Sequence, residues 1–300
     1  MTIASGARER TGFIAESTWG TTPSTPAFSL LRKNSISVGL EKDALLSEEI
    51  RSDRQITDMR HGVRSVSGDV AFELSPDSFD AFIEAALMGT WTSDVLKAGT
   101  TRRSFTIERY FSDIVQFYRA TGCEINTMSL DIAPNAIITG SFGIVGKDVT
   151  IAQTAIAGAS YGAIPDKRVF NSLSGSLYVG TTQVAVISQV SLSLENAIEN
   201  LPVVGQNTNV RGAAGRSNLS GEVTAYFEDV SLLNLFEGET ESSITLTLTS
   251  GAESYVIDLP RVLFNGGKPD SGGEREISLS MPFQALYSVS DASQIIITRA

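Results

Sequence analysis

The sequence predicts a mainly β protein made of two tandem β-sandwich or barrel domains, each with one flanking α-helix. Three observations carry this expectation: short runs alternate apolar and polar residues, two segments switch to helical spacing, and the second half repeats the pattern of the first. Ile36, Val38 and Leu40 lead into Glu41, and 154 positions later Val190, Leu192 and Leu194 lead into Glu195. Ser67-Gly68-Asp69-Val70 returns 153 positions on as Ser220-Gly221-Glu222-Val223, and a short capped helix follows each.

Taken in chain order, residues 1–27 are rich in Gly, Ser, Thr and Pro, with Phe13, Ile14 and Trp19 isolated among polar neighbours. They read as an extended N-terminal arm whose large apolar side chains need a surface, on the domain itself or on a neighbouring subunit. Residues 28–155 form the first expected domain, 156–168 an Ala- and Gly-rich linker broken by Gly158, Gly162 and Pro165, and 169–300 the second domain. Alternating runs at 36–40, 70–74, 114–118, 128–132, 177–179, 190–194, 244–248, 255–259, 277–281 and 295–297 read as strands, enriched in β-branched and aromatic residues.

The first helix is expected to start with Ser75 as cap and Pro76 in the first turn, to end at Gly89, and to bury Phe79, Phe82, Ile83, Ala86 and Leu87. The second is expected between a capping Asp229 and a terminating Gly238, with Leu232, Leu235 and Phe236 on one side. Each repeat also holds a long polar loop, 42–64 in the first and 196–216 in the second, of a length that compact domains keep for function or leave disordered.

Composition narrows the function. With 42% apolar residues the chain can bury one large core or two ordinary ones, and the repeat favours two. Against 23 bases stand 34 acids, a formal net charge of −11, which argues against a surface that grips nucleic acid by its phosphates. A single cysteine, Cys123, excludes an intrachain disulfide and suits a reducing cytoplasm. No secretory signal pattern opens the chain and no run of about 18 apolar residues occurs, so a soluble protein is expected.

No catalytic constellation emerges. The single histidine, His61, lies in the charged loop, far in sequence from Cys123, which reads as a buried small apolar side chain. Gly266-Gly267-Lys268 and Ser271-Gly272-Gly273 lack phosphate-loop spacing and read as hairpin turns. Glu48 and Glu49 lie in an open polar loop, where nothing desolvates a carboxylate enough to raise its pKa. No enzyme activity, metal or cofactor is expected.

Larger motifs add a family. Phe105-Thr-Ile-Glu-Arg-Tyr-Phe-Ser-Asp-Ile-Val-Gln-Phe-Tyr-Arg-Ala-Thr-Gly-Cys-Glu-Ile-Asn-Thr-Met-Ser-Leu130 and Ile138-Thr-Gly-Ser-Phe-Gly-Ile-Val-Gly146 resemble the tail tube (major tail) proteins of long-tailed, non-contractile bacteriophages. Glu16-Ser-Thr-Trp-Gly-Thr-Thr-Pro23, Ser193-Leu-Glu-Asn196, residues 255–260 and Ile295-Ile-Ile-Thr-Arg299 follow that family in order, so the resemblance covers nearly the whole chain. It implies two tail-tube-type domains, each similar to the tube protein of type VI secretion, whose rings stack into a hollow tube that passes DNA to the host.

Two tube domains per chain would complete with three chains a ring that single-domain subunits complete with six, so a trimeric ring of pseudo-sixfold symmetry is expected. An acidic lumen would let DNA slide. Contacts between subunits and rings are expected from the arm, through Phe13 and Trp19, and from the long inter-ring loops. In the first loop these are Glu48, Glu49, Arg51, Asp53, Arg54, Asp58, Arg60 and Arg64; in the second, Glu199, Arg211 and Arg216. The implied partners are other copies of the chain and tape-measure, tail-tip and tail-terminator proteins, with no membrane; the implied location is the virion tail, assembled in the host cytoplasm. Competing readings are a secretion-type tube, another virion component, or a sugar-binding β-sandwich using Trp19, Trp91 and tyrosines.

Overall fold

The computed structural model describes residues 3–180, 182–184, 187–270, 274 and 276–300. Its first half contains β1 (Glu9–Ala15), β2 (Ala27–Leu30), β3 (Ser35–Ile36), β4 (Gly39–Leu46), β5 (Met59–Glu73), α1 (Asp80–Ala86), β6 (Val95–Lys97), β7 (Phe105–Phe111), β8 (Gln116–Ile132), β9 (Thr139–Gly146) and β10 (Asp148–Ala152). After the short β11 (Ser160–Tyr161) come β12 (Gly175–Val179), β13 (Thr182–Gln183), β14 (Ile187–Glu195), β15 (Ile198–Leu201), β16 (Val210–Ala214) and β17 (Asn218–Tyr226). The chain ends with α2 (Ser231–Glu237), β18 (Ser242–Ser250), β19 (Glu253–Phe264), β20 (Lys268–Asp270), β21 (Ser278–Ala285) and β22 (Ile296–Arg299). The fold is mainly β, a sandwich with two short helices.

One layer is a continuous sheet in the order β3/β4, β5, β9, β8, β14, β17, β21, β20. Facing it in the first half are β2, β1, β7, the N-terminal part of β8 and β10; in the second half, β13, β12, β18, the N-terminal part of β19 and β22. β8 crosses between layers: residues 116–123 pair with β7 and 124–131 with β9, with Gly122 at φ +68 where the strand turns.

The two halves share strand register. Ile36 faces Val70 and Leu40 faces Val66, as Val190 faces Val223 and Leu194 faces Leu219. The register slips between Phe105 and Ile107 in β7, and equally between Ser242 and Ile244 in β18. The motif glycines serve close strand contacts: a Cβ on Gly68, which sits at φ +135, would lie 2.7 Å from Ser37 and Val38 backbone, and one on Gly221 2.4 Å from the Ser191 carbonyl oxygen. Any larger residue there pushes neighbouring strands apart.

The core is one contiguous cluster spanning both halves, where two cores were expected. The β8·β14 pairing and the β6·β22 pairing bring the halves too close for separate interiors. Phe72, Phe79, Phe82, Phe105 and Phe142 form its aromatic centre, with Phe72 and Phe142 stacked at 4.5 Å between centroids. Each such side chain contributes about 2 kcal/mol or more by burial alone.

Several local expectations shift. The expected arm is not free over residues 9–15: β1 pairs with β7 along its length and occupies the place that β12 takes beside β18. Phe13 and Trp19, two of its isolated apolar residues, have partners within the chain. Ser75 does not cap α1; its hydroxyl bonds Ser78, the turn at Asp77 (φ 58) intervenes, and the helix starts at Asp80, though all five predicted apolar residues are buried.

Asp229 accepts the Ser231 N–H at 2.7 Å one residue ahead of the N-cap of α2, and Gly238 is the C-cap. The long loops are part strand: β4 and β5 extend into 42–64 as a hairpin that leaves 47–58 outside them, and β15 and β16 form a ribbon within 196–216. The strand predicted at 114–118 begins at Gln116, because Val115 takes φ 51 in the β7–β8 turn. Gly266 and Gly267 interrupt a strand line between β19 and β20, which both pair with β21, and so make no hairpin turn. Ser271-Gly272-Gly273 lies outside the described residues.

Candidate functional surfaces

Side chains alternate across a strand, so the eight-strand sheet has two faces. One face buries Val66, Val70, Phe142, Met128, Leu130, Leu192, Leu194, Val223 and Met281 in the core. The opposite face is polar. Cross-strand pairs place Glu41 by Ser65, Asp69 by Gly143, Glu73 by Thr139, Asp131 by Ser191, Glu195 by Asn218, Glu222 by Pro282 and Asp270 by Ser278. Seven carboxylates thus stand on this face, interspersed with Ser and Thr, and Lys268 stands on it beside Ser280.

The second surface is the β4–β5 hairpin, exposed from Glu41 to His61 apart from a half-buried Ser47. Leu45, Leu46, Ile50, Ile56 and Met59 are all more than half exposed, with Ile50 at 99%. Clustered apolar exposure of this kind marks an interaction surface. The predicted charges at the tip pair locally: Arg51 with Asp53 at 2.8 Å and Arg60 with Asp58 at 3.1 Å, while Glu48, Glu49 and Arg54 are exposed. The Arg51 hydrogen bond holds the Asp53 carboxyl below its ordinary range. Solvent screens such exposed pairs, so they shape the tip more than they stabilise it.

Other predicted contact residues have intrachain roles. Phe13 packs against Phe82 and Phe105 at 4.8 and 5.8 Å, and Trp19 donates its indole N–H to the Gly122 carbonyl at 3.1 Å beneath Lys147. Arg64 binds Asp148 at 2.6 Å and the Val149 carbonyl, and its backbone N–H reaches Asn207, tying the hairpin to the second-half loop. Arg211 joins Arg102 on the buried Glu124, at 2.7 and 2.6 Å. Four of the thirteen predicted contact residues, Phe13, Trp19, Arg64 and Arg211, therefore hold this chain together, whereas Glu199 and Arg216 are exposed. Trp91 likewise packs inside the chain, under Arg299.

Sequence reasoning missed two groups. Glu16 accepts from Gly20 N–H, Gly122 N–H, Ser104 and Thr106 at 2.7–2.9 Å, fastening 16–22 to β7 and β8; its signal was a lone acid among Ser, Thr and Gly. The acidic face was missed as a unit, although Glu41, Asp69, Glu195 and Glu222 all sit in the repeat. Their alternation with core residues was the available signal.

Among the described residues Cys123 is fully buried, and that burial pushes its thiol well above the ordinary range, while His61 is exposed on the hairpin. No described helix is long and apolar enough to cross a membrane. Curated proteins give no match to the chain. A family model described as phage tail tube protein matches residues 6–285, which includes both halves, the hairpin and most of the acidic sheet face. The chain is a member of the phage tail tube protein family, a structural component of the virion tail.

Proposed function

We propose that copies of this chain form rings of three with pseudo-sixfold symmetry, that the rings stack into the tail tube, and that the acidic sheet face lines the lumen through which DNA leaves. The observation that carries the reading is the eight-strand sheet with one face in the core and seven carboxylates on the other. Duplex DNA carries about one negative charge per 1.7 Å, so a wall of like charge keeps it from adhering.

Shared register between the halves supports a duplicated tube unit. Size supports three chains per ring. Eight strands per chain give about 24 in a closed barrel, which at ~4.8 Å spacing and ~40° tilt has a backbone radius of about 24 Å. Six chains would give roughly 48 strands and about twice that radius, far wider than one duplex requires. The β4–β5 hairpin, with its exposed apolar side chains, is suited to contact the next ring. Tape-measure, tail-tip and tail-terminator proteins, as the usual components of such a tail, are the further partners in this reading, and assembly in the host cytoplasm precedes their joining in the virion.

Electron microscopy of the purified protein at raised concentration, with and without tail-tip components, tests this. End-on averages with three units, each split in two, are expected. Rings of six whole chains, or a net-positive inner wall in a ring structure, overturn the corresponding part.

A further inference from the structure

We propose that β20 of one chain adds antiparallel to the outer edge of β3 and β4 of a neighbouring chain, in the register that β8 uses against β14 inside each chain. The proposal rests on the self-assembly reading above and names the strands that meet.

The internal junction supplies the template. Residues 127–132 of β8 pair with 190–195 of β14, placing Asp131 opposite Ser191 and Ser129 opposite Ser193. β14 stands in the second half where β3 and β4 stand in the first, since both lie beside the glycine-bearing strand in matching register. β20 stands where the C-terminal part of β8 stands: Ser129 faces Ser141 of β9, and Lys268 faces Ser280 of β21. The two strands that meet inside the chain therefore have counterparts at its two ends, and neither counterpart has a strand on its outer side among the described residues.

Carrying the register across puts Ser37 opposite Asp270 and Gly39 opposite Lys268 of the neighbouring chain. Lys268, a base on the acidic face, then sits diagonal to Glu41, within reach of an opposite charge.

Chemistry at the free edge agrees. The Val38 carbonyl, which points outward, accepts from Arg109 at 3.2 Å, and the outward Leu40 N–H donates to the Tyr118 hydroxyl at 2.6 Å. Arg109 and Tyr118 face each other across β7 and β8; their counterparts across β18 and β19 are Leu246 and Ile257, both buried. Polar side chains thus occupy these positions only in the half whose edge lacks a strand. They satisfy the edge in the single chain, as edge protection requires, and give way to backbone bonds on assembly.

A cysteine pair tests the register. Ser37 lies between the outward-bonding Val38 and Ile36, so its cross-strand pair is of the non-hydrogen-bonded kind, about 4.5 Å between Cα atoms and within disulfide range. Both Ser37 and Asp270 are exposed, so the chain carrying Ser37→Cys and Asp270→Cys should fold. After assembly and mild oxidation, non-reducing electrophoresis should show interchain dimers and trimers in most of the protein. The Ser35→Cys, Asp270→Cys chain, whose sites are a diagonal step apart at about 7–8 Å, should show at least fivefold less. Rings or tubes visible by microscopy without the Ser37–Asp270 ladder, or with equal ladders for both pairs, overturn the strand pairing and leave the tube reading standing. A wild-type chain that forms no rings at any concentration, with or without tail-tip components, overturns both.

Discussion

Leu192 lies opposite Leu130 where strands from the two halves of the chain meet, and both side chains are buried in the shared core. Backbone pairing and core burial coincide at this pair, so the halves are expected to unfold together. Leu130→Ala and Leu192→Ala should each cost about 2–5 kcal/mol in denaturant unfolding, with a coupling of about 0.5 kcal/mol or more in the double variant. Two separate transitions in the wild type would contradict the single core.

Glu124 should be among the least replaceable acids. Its side chain is 5% exposed and is held by Arg102 from the first half and Arg211 from the second. Glu124→Gln leaves two guanidinium groups sharing one neutral acceptor, with an expected loss of about 3 kcal/mol by thermal or denaturant melting.

Acid should loosen β1. Burial acts to raise the Glu9 carboxyl, but Arg109 at 2.7 Å and Lys33 at 3.3 Å outweigh it and hold the group below its ordinary range. A carboxyl depressed in the folded state contributes stability above its unfolded value of about 4.3 and loses it as pH falls through the folded value. Wild type should therefore melt above Glu9→Gln at pH 6, and the gap should close as the pH is taken below about 4.

The hairpin should matter for assembly and little for folding. Ile50→Asp with Ile56→Asp alters two exposed side chains, so melting should move by less than about 0.5 kcal/mol. Electron micrographs should show rings that fail to stack. Tubes of normal length would remove the hairpin from the inter-ring contact.

Lumen charge is open to reversal. Glu195→Lys and Glu222→Lys lie on the polar face of adjacent strands and leave the core untouched. Tubes of this variant should retain linear duplex DNA at low salt and release it as salt rises, whereas wild-type tubes should not retain it. Equal behaviour in a co-sedimentation assay would place the acidic face elsewhere than the bore.

Much of this was legible in the residues. Alternation located most strands, Phe79, Phe82, Ile83, Ala86 and Leu87 marked the buried face of α1, and the offset between Ile36 and Val190 reappears in their pairing with Val70 and Val223. Roles of individual polar residues were much less so. Arg64 and Arg211 look like the other charges of their loops until Asp148 and Glu124 arrive beside them from strands 84 and 87 positions away. Phe13 and Trp19 look stranded because their partners, Phe82 and Gly122, lie far along the chain.

By itself the sequence determined the β class and the alternation that gives each strand an apolar and a polar side, because these follow from local periodicity. Only the tertiary structure decided that residues 9–15 are a strand of the fold, that both halves share one core, and that acids from Glu41 to Asp270 share one face. The reason is physical: period-two alternation says that a strand has two sides, but which strands lie adjacent, and hence which charges collect, depends on long-range pairing that no local pattern encodes.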